Sequence, residues 1–234
     1  FMDEELQGHM NLTSANSINV ARFLPQAFYY FNAYAQAKKL GKADNLTICV
    51  PSGNFGNITA GLFAQRMGLP IKHFIAANNA NDIFYNYLLS GIYSPKASIQ
   101  TIANAMDVGD PSNFARILDL YKSSHAEICN HISGATYSDD EIAATMKKCY
   151  EQTGYVLDPH GACGYQALKD NLKEGETGVF LETAHPAKFK EKVDAILSTD
   201  IEIPTRLADF MKGKKQSLEM AADFSAFKQF LLSV

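Results

Sequence analysis

The residues with the densest chemistry are Ser52-Gly53-Asn54-Phe55-Gly56-Asn57. They follow Leu46-Thr47-Ile48-Cys49-Val50, a short β-branched apolar run of the kind a buried parallel strand shows, and they lead into a helical stretch from about Asn57 to Met67. Where a strand ends and a helix begins, backbone N–H groups point outward with the positive end of the helix dipole behind them, which suits an anion. Gly53 and Gly56 permit close approach that a Cβ would block, and Ser52, Asn54 and Asn57 add side-chain donors. No Gly-Lys-Ser/Thr follows and the spacing is not GxGxxG, so neither familiar nucleotide loop is present. A tight glycine turn with an Asn helix cap has the same spacing, and spacing alone leaves the two readings even.

Two further groups carry chemistry. Asn16 and Ser17, with Arg22 five residues on from Ser17, place polar caps and a guanidinium near one helix start; they make either a second anion site or an ordinary N-cap with a surface arginine. Glu182-Thr183-Ala184-His185-Pro186-Ala187-Lys188 follows the last strand, at the sheet edge where open α/β folds bind ligands. There Thr183 is a candidate hydroxyl donor and His185 a candidate acid or base, or else a strand-end cap and a loop histidine. Lys188 and Lys190 fall on the charged run Lys188-Phe189-Lys190-Glu191-Lys192, which favours solvated lysines over amine nucleophiles. His160, after Asp158-Pro159, is a weaker candidate.

The elements that must position these groups are readable from caps and periodicity. A helical text runs from Asn16 to Leu40 with Gly41 as its C′ residue, and begins near or kinks at Pro25. Leu46–Val50, the glycine loop, the helix to Met67 and a strand at Ile71–Ala76 form a βαβ unit with a right-handed crossover. Asn81 or Asp82 opens a helix to Gly91, and Asp110-Pro111 opens another. Ser138 with Glu141 forms a capping box before a helix closed by Gly154. Asp158-Pro159 opens a helix to Leu172, Gly178–Leu181 is a third strand, a helix runs to Leu197, and Asp223 caps a last helix to Leu232. Three strands among about eight helices make a narrow sheet for an α/β protein wound on both faces, which implies that further strands belong to it.

Composition narrows the function. The chain has 234 residues, 47% apolar, with 21 Lys+Arg against 25 Asp+Glu and a formal charge of −4. That is globular composition, long enough for one sizeable core. The scattered basic residues, densest at Lys212, Lys214 and Lys215, lack the footprint of a nucleic-acid binder. No apolar run is long enough to span a bilayer, and Phe1-Met2-Asp3-Glu4-Glu5 carries neither a basic n-region nor a signal core, so a cytoplasmic protein is expected. Cys49, Cys129, Cys149 and Cys163 show no metal-ligand or disulfide spacing and read as buried thiols, with no metal expected. Residues 1–15 read as an irregular lead-in that continues from a longer polypeptide.

Five motifs taken together carry a resemblance: Asn11-Leu12-Thr13-Ser14-Ala15-Asn16-Ser17-Ile18-Asn19; Pro51-Ser52-Gly53-Asn54-Phe55-Gly56-Asn57; Ala103-Asn104-Ala105-Met106-Asp107-Val108; Pro159-His160-Gly161-Ala162; and Thr183-Ala184-His185-Pro186-Ala187-Lys188-Phe189. In this order, across nearly the whole chain, they closely resemble the threonine synthase family. The resemblance implies an α/β chain forming part of the doubly wound large domain of a fold type II, tryptophan-synthase β-like pyridoxal-phosphate enzyme, rich in helices and short of strands. It implies conversion of O-phospho-L-homoserine and water into L-threonine and phosphate by γ-elimination and β-hydration. By the same resemblance Gly53, Asn54, Phe55, Gly56 and Asn57 cradle the pyridoxal 5'-phosphate phosphate, Thr183 faces the pyridine nitrogen, and Asn16, Ser17 and Arg22 grip the substrate phosphate.

One departure is large. The family's Schiff-base lysine lies in an upstream Phe-Lys-Asp segment, and Phe189-Lys190-Glu191 and Phe227-Lys228-Gln229 stand in the wrong context to replace it. The chain therefore reads as the incomplete C-terminal portion of such an enzyme, inactive alone, with the N-terminal half as its missing partner and no catalytic lysine of its own. The alternatives are another fold type II lyase or dehydratase, and a non-catalytic phosphate-binding module.

Overall fold

A computed structural model describes residues 1–214 and 216–234. Its centre is a four-stranded, all-parallel sheet of order β3-β2-β1-β4, made of β1 (Leu46–Pro51), β2 (His73–Asn78), β3 (Ile132–Thr136) and β4 (Thr177–Phe180). β1 is buried at all six positions because helices cover both faces of the sheet and strands flank it on both sides. The side chains alternate between two cores as the pleat requires. Ile48, Val50, Phe74 and Ala76 join Tyr30, Ile58 and Leu62 on one face; Cys49, Ile75 and Ala77 join Met146, Ala162, Cys163 and Val193 on the other.

The first face is covered by α3 (Ala27–Lys39), α4 (Gly56–Arg66), α5 (Ile83–Ser90) and α6 (Phe114–Leu120). The second is covered by α8 (Asp139–Thr153), α9 (Pro159–Asn171) and α10 (Lys190–Leu197). The doubly wound α/β expectation therefore holds. Caps fix the ends as the sequence indicates. Ser138 and Glu141 complete the capping box of α8, Asp158 caps α9, and Gly91 and Gly154 close their helices in the left-handed conformation. Pro25 divides the long helical text: α2 (Val20–Phe23) passes through a 3₁₀ turn at Leu24–Gln26 into α3.

The structure departs from the sequence expectations at several places. The lead-in at residues 1–15 contains α1 (Glu4–His9), capped by the Asp3 carboxylate accepting from Leu6 N–H and tied to the far terminus by Lys228–Asp3 at 2.8 Å. α6 begins at Phe114, after an Asp110-Pro111 turn. The helices α7 (His125–His131) and α11 (Thr205–Met211), and strand β3, lie where no element was expected. The last helix, α12 (Phe224–Ser233), starts at its Asp223 cap. Cys49, Cys149 and Cys163 are buried, whereas Cys129 is only half-buried. Lys212 pairs with Asp209 on the surface, and Lys215 lies outside the described residues. No described helix is long and apolar enough to cross a membrane.

Candidate functional site

At the carboxyl end of β1 the chain turns sharply into α4, and this turn forms one wall of a cleft of about 740 Å³. Ser52 still belongs to the sheet, its N–H donating to Ala77 O at 2.9 Å. None of the backbone N–H groups from Gly53 to Asn57 donates to another described residue, while the next, Ile58 N–H, donates to Asn57 Oδ1 at 2.8 Å. A run of unpaired amides at the start of an eleven-residue helix is the arrangement that receives an anion.

Three features hold the turn in that shape. Phe55 adopts a left-handed conformation (φ 61°, ψ 13°), which costs a non-glycine residue about 1–2 kcal/mol. Its ring is fully buried, 4.5 Å from the Phe84 ring centroid, and burial on that scale is worth roughly 1.5–3 kcal/mol, enough to offset the strain. Asn57 Nδ2 donates back to Pro51 O at 2.7 Å, and Asn78 Nδ2 donates to Ser52 O at 2.9 Å. A Cβ on Gly53 would lie 2.7 Å from Met106 Cα and 2.8 Å from Ala105 O, so only glycine lets the 103–107 segment close the opposite wall.

Ser17 completes this side of the cleft. Its Oγ accepts from Asn54 Nδ2 at 2.8 Å and from Asn113 Nδ2 at 2.9 Å, which leaves its own proton to donate elsewhere. Arg116 pins the same segment, donating to Ser17 O at 2.9 Å and to Ile18 O, with its guanidinium 4.6 Å over the Phe23 ring. Asn54 Oδ1 is in turn held by Ser112 N–H at 2.7 Å.

The facing end of the cleft is built from the residues after β4 and the start of α9. Leu181, Glu182, Thr183 and His160 all line it. Asp158 is fully buried; its Oδ1 accepts from the His160 N–H at 2.8 Å and from His160 Nδ1 at 2.7 Å. His160 Nε2 accepts the Ala105 N–H at 3.1 Å, so the network assigns the ring proton to Nδ1. Burial alone would raise the Asp158 carboxyl, but the hydrogen bonds it accepts from His160 outweigh it and hold the group below the usual carboxylate range. Glu182, exposed at the edge of the cleft, moves the other way, raised by partial desolvation and then by Asp158.

The structure thus brings Gly53, Asn54, Phe55, Gly56, Asn57, Ser17 and Thr183 into one cleft. Asn16 and Arg22 are exposed and stand outside its lining; Asn16 Oδ1 accepts Ile18 N–H at 2.9 Å as a local turn former. No lysine lines the cleft among the described residues. Sequence reasoning missed the Asn113 and Arg116 clamp on Ser17, whose partners lie more than ninety residues apart, and the buried pairing of Asp158 with His160. The Asp158-Pro159-His160 helix start was the available signal for part of the second.

The family profile described as "Pyridoxal-phosphate dependent enzyme" matches residues 6–183, and that described as "Threonine synthase, C-terminal" matches residues 161–231. The threonine synthase of Haemophilus influenzae is 48% identical over 232 residues, covering 99% of this chain and 54% of that protein. The crystal structure of threonine synthase from Escherichia coli superposes with a TM-score of 0.90 at 43% identity, covering 98% of this chain and 53% of that one. For the structure of PLP-bound threonine synthase from Brucella melitensis the TM-score is 0.89 at 34% identity, with 99% and 55% covered. The chain spans about half the length of the relatives it matches.

Proposed function

This chain belongs to the pyridoxal-phosphate dependent enzyme family, and we propose from that premise that it is part of a threonine synthase, contributing the phosphate cradle and one wall of the active cleft. The observation that carries the reading is the glycine turn from Gly53 to Asn57, whose unpaired amides and blocked Cβ positions fit a phosphate monoester. When bound, the cofactor supplies an electron sink for γ-elimination and β-hydration of O-phospho-L-homoserine. The Gly53–Asn57 amides would hold its phosphate, with the α4 dipole behind them. Thr183 would present a neutral hydroxyl to the pyridine nitrogen, which unlike a carboxylate does not hold that nitrogen protonated and so moderates the sink. Ser17, already accepting two amide donors, has its proton left to give to the substrate phosphate, and Asn16 and Arg22 are assigned to the same anion. The acting form would be a cytoplasmic lyase of threonine biosynthesis in which the rest of the same enzyme is the partner.

The test is turnover by the full-length enzyme. Incubation with O-phospho-L-homoserine and pyridoxal phosphate is expected to release L-threonine and inorganic phosphate one for one. Formation of a 2-oxo acid and ammonia instead would assign the chain to a dehydratase, and no turnover of any phosphorylated amino acid would leave only a binding module.

Arg22 is the residue on which the substrate assignment is most exposed, because it lies outside the cleft lining. Arg22→Ala is expected to raise KM for O-phospho-L-homoserine roughly tenfold or more, since a charge-assisted bond to phosphate is worth about 1.5–3 kcal/mol, with cofactor affinity unaltered. An unchanged KM would return Arg22 to the solvent.

A further inference from the structure

Asn113 stands fully buried at the N-cap of α6, yet its side chain does not cap that helix. A guanidinium donates on every edge, so the Asn113 oxygen Oδ1, which accepts from Arg116, must face it, and Nδ2 must face away. Nδ2 donates instead to Ser17 Oγ and to Asn54 O, both at 2.9 Å. Asn54 is fixed in the same manner: its Oδ1 accepts from Ser112 N–H at 2.7 Å and from the Ser112 hydroxyl at 2.9 Å, which turns its Nδ2 to Ser17 Oγ at 2.8 Å. A flip of either amide would set donor against donor. A serine hydroxyl has one proton and room for two donors, and both places on Ser17 Oγ are taken. Its proton therefore cannot return to either asparagine. A Cβ on Gly56 would lie 2.7 Å from Ser17 Cβ and 3.0 Å from its Oγ, so glycine at the start of α4 is what lets this hydroxyl stand beside the unpaired amides.

We infer that Asn113 is a positioning residue for phosphate recognition: oriented by Arg116, it joins Asn54 in making the Ser17 hydroxyl a one-way donor into the cleft. A phosphate monoester offers its ionised oxygens as acceptors, and a hydroxyl that can only donate matches them. The proton is turned before the ligand arrives, so binding carries no cost of reorienting it. Arg116 also holds the backbone of the same segment, at Ser17 O and Ile18 O, so the start of α6 fixes both the place of Ser17 and the direction of its proton. The inference rests on the proposed function for the identity of the ligand, the substrate phosphate; the direction of the proton does not.

Neutron diffraction from crystals of the full-length enzyme exchanged into D2O reads the proton directly. A deuteron of each asparagine Nδ2 is expected to point at Ser17 Oγ and the Ser17 deuteron into the cleft; a Ser17 deuteron directed at Asn54 or Asn113 would overturn the proposal. Its effect on recognition is read by a cycle of Asn113→Asp and Ser17→Ala in the full-length enzyme. The aspartate has nearly the same shape but only acceptors, so Ser17 would donate to it and not to the ligand. Its charge beside Arg116 and its contact with Asn54 O act in both backgrounds, whereas the proton is lost only where Ser17 is present. Asn113→Asp is therefore expected to raise KM for O-phospho-L-homoserine about tenfold more in the Ser17 enzyme than in the Ser17→Ala enzyme. Equal factors in the two backgrounds would overturn the proposal, and so would a coupling that appeared in the dissociation constant of pyridoxal phosphate and not in KM. If Asn113→Asp does not fold, the neutron map of the unsubstituted enzyme still decides. Failure of the unsubstituted enzyme to turn over O-phospho-L-homoserine would reject the proposed function, and the same cycle, read as calorimetric binding of inorganic phosphate, would then test the proton alone.

Discussion

Gly53→Val in the full-length enzyme is expected to weaken pyridoxal phosphate binding at least 100-fold. The added side chain meets main-chain atoms, Met106 Cα at 2.7 Å and Ala105 O at 2.8 Å, and not the movable tip of a side chain. Either the 103–107 segment retreats, which breaks the Ala105 N–H bond to His160, or the turn rotates and its amides lose their common target. Each charge-assisted bond to a phosphate is worth about 1.5–3 kcal/mol, so losing two costs roughly 3–6 kcal/mol, and every 1.4 kcal/mol is tenfold in affinity. Equilibrium titration of the apoenzyme with the cofactor reads the effect. Gly8→Ala is the control, because nothing lies within 4 Å of a Cβ there and φ is ordinary. Equal affinities for the two variants would mean that the phosphate sits elsewhere.

What the sequence made legible and what it hid separate along physical lines. β1 and the glycine turn were readable because both signals are local: a β-branched run buried on both faces, then residues that only a strand-to-helix junction needs. The same holds for the Ser138–Glu141 and Asp158 caps, where a side chain binds the backbone two or three residues away. β3 was invisible because Ile132-Ser133-Gly134-Ala135-Thr136 is an edge strand with one fully buried position and small residues under Leu88 and Tyr85, so it lacks an apolar pattern. α1 escaped because its six residues bury only Leu6.

The site divides in the same way. The turn and Thr183 each follow a strand and therefore converge at one sheet edge, as the parallel topology requires. Arg22 was expected near Ser17 from a helix starting at Ser17, but α2 starts only at Val20, capped by Asn19, and Arg22 lies exposed on it outside the cleft lining. The guanidinium that does hold Ser17 is Arg116, ninety-nine residues away in sequence, and no local pattern announces it.

The 234-residue chain alone is expected to bind pyridoxal phosphate weakly, through its phosphate, to attach it covalently at no single lysine, and to release no phosphate from O-phospho-L-homoserine. Covalent attachment needs an unprotonated amine beside the aldehyde, and such lysines are made by burial or by a neighbouring cation. The lysines that follow Thr183 in sequence show neither. Lys188 is exposed, its Nζ 5.3 Å from the Phe189 ring centroid. Lys190 is engaged by Asp194 at 2.7 Å, by Asp200 and by Ile201 O at 2.7 Å, and the two carboxylates raise its pKa, which holds the amine as an ammonium. Lys192 points its Nζ at the carbonyls of Thr101 and Ile102, on the flank of the 103–107 wall and outside the cleft lining. Borohydride reduction of the chain with the cofactor, followed by peptide mapping, is expected to give scattered, substoichiometric labels. Supplying the remaining half of the enzyme as a separate polypeptide is expected to concentrate the label on one lysine of that half. Stoichiometric labelling of one lysine in the isolated chain, together with phosphate release, would place the catalytic amine among these residues and overturn this expectation.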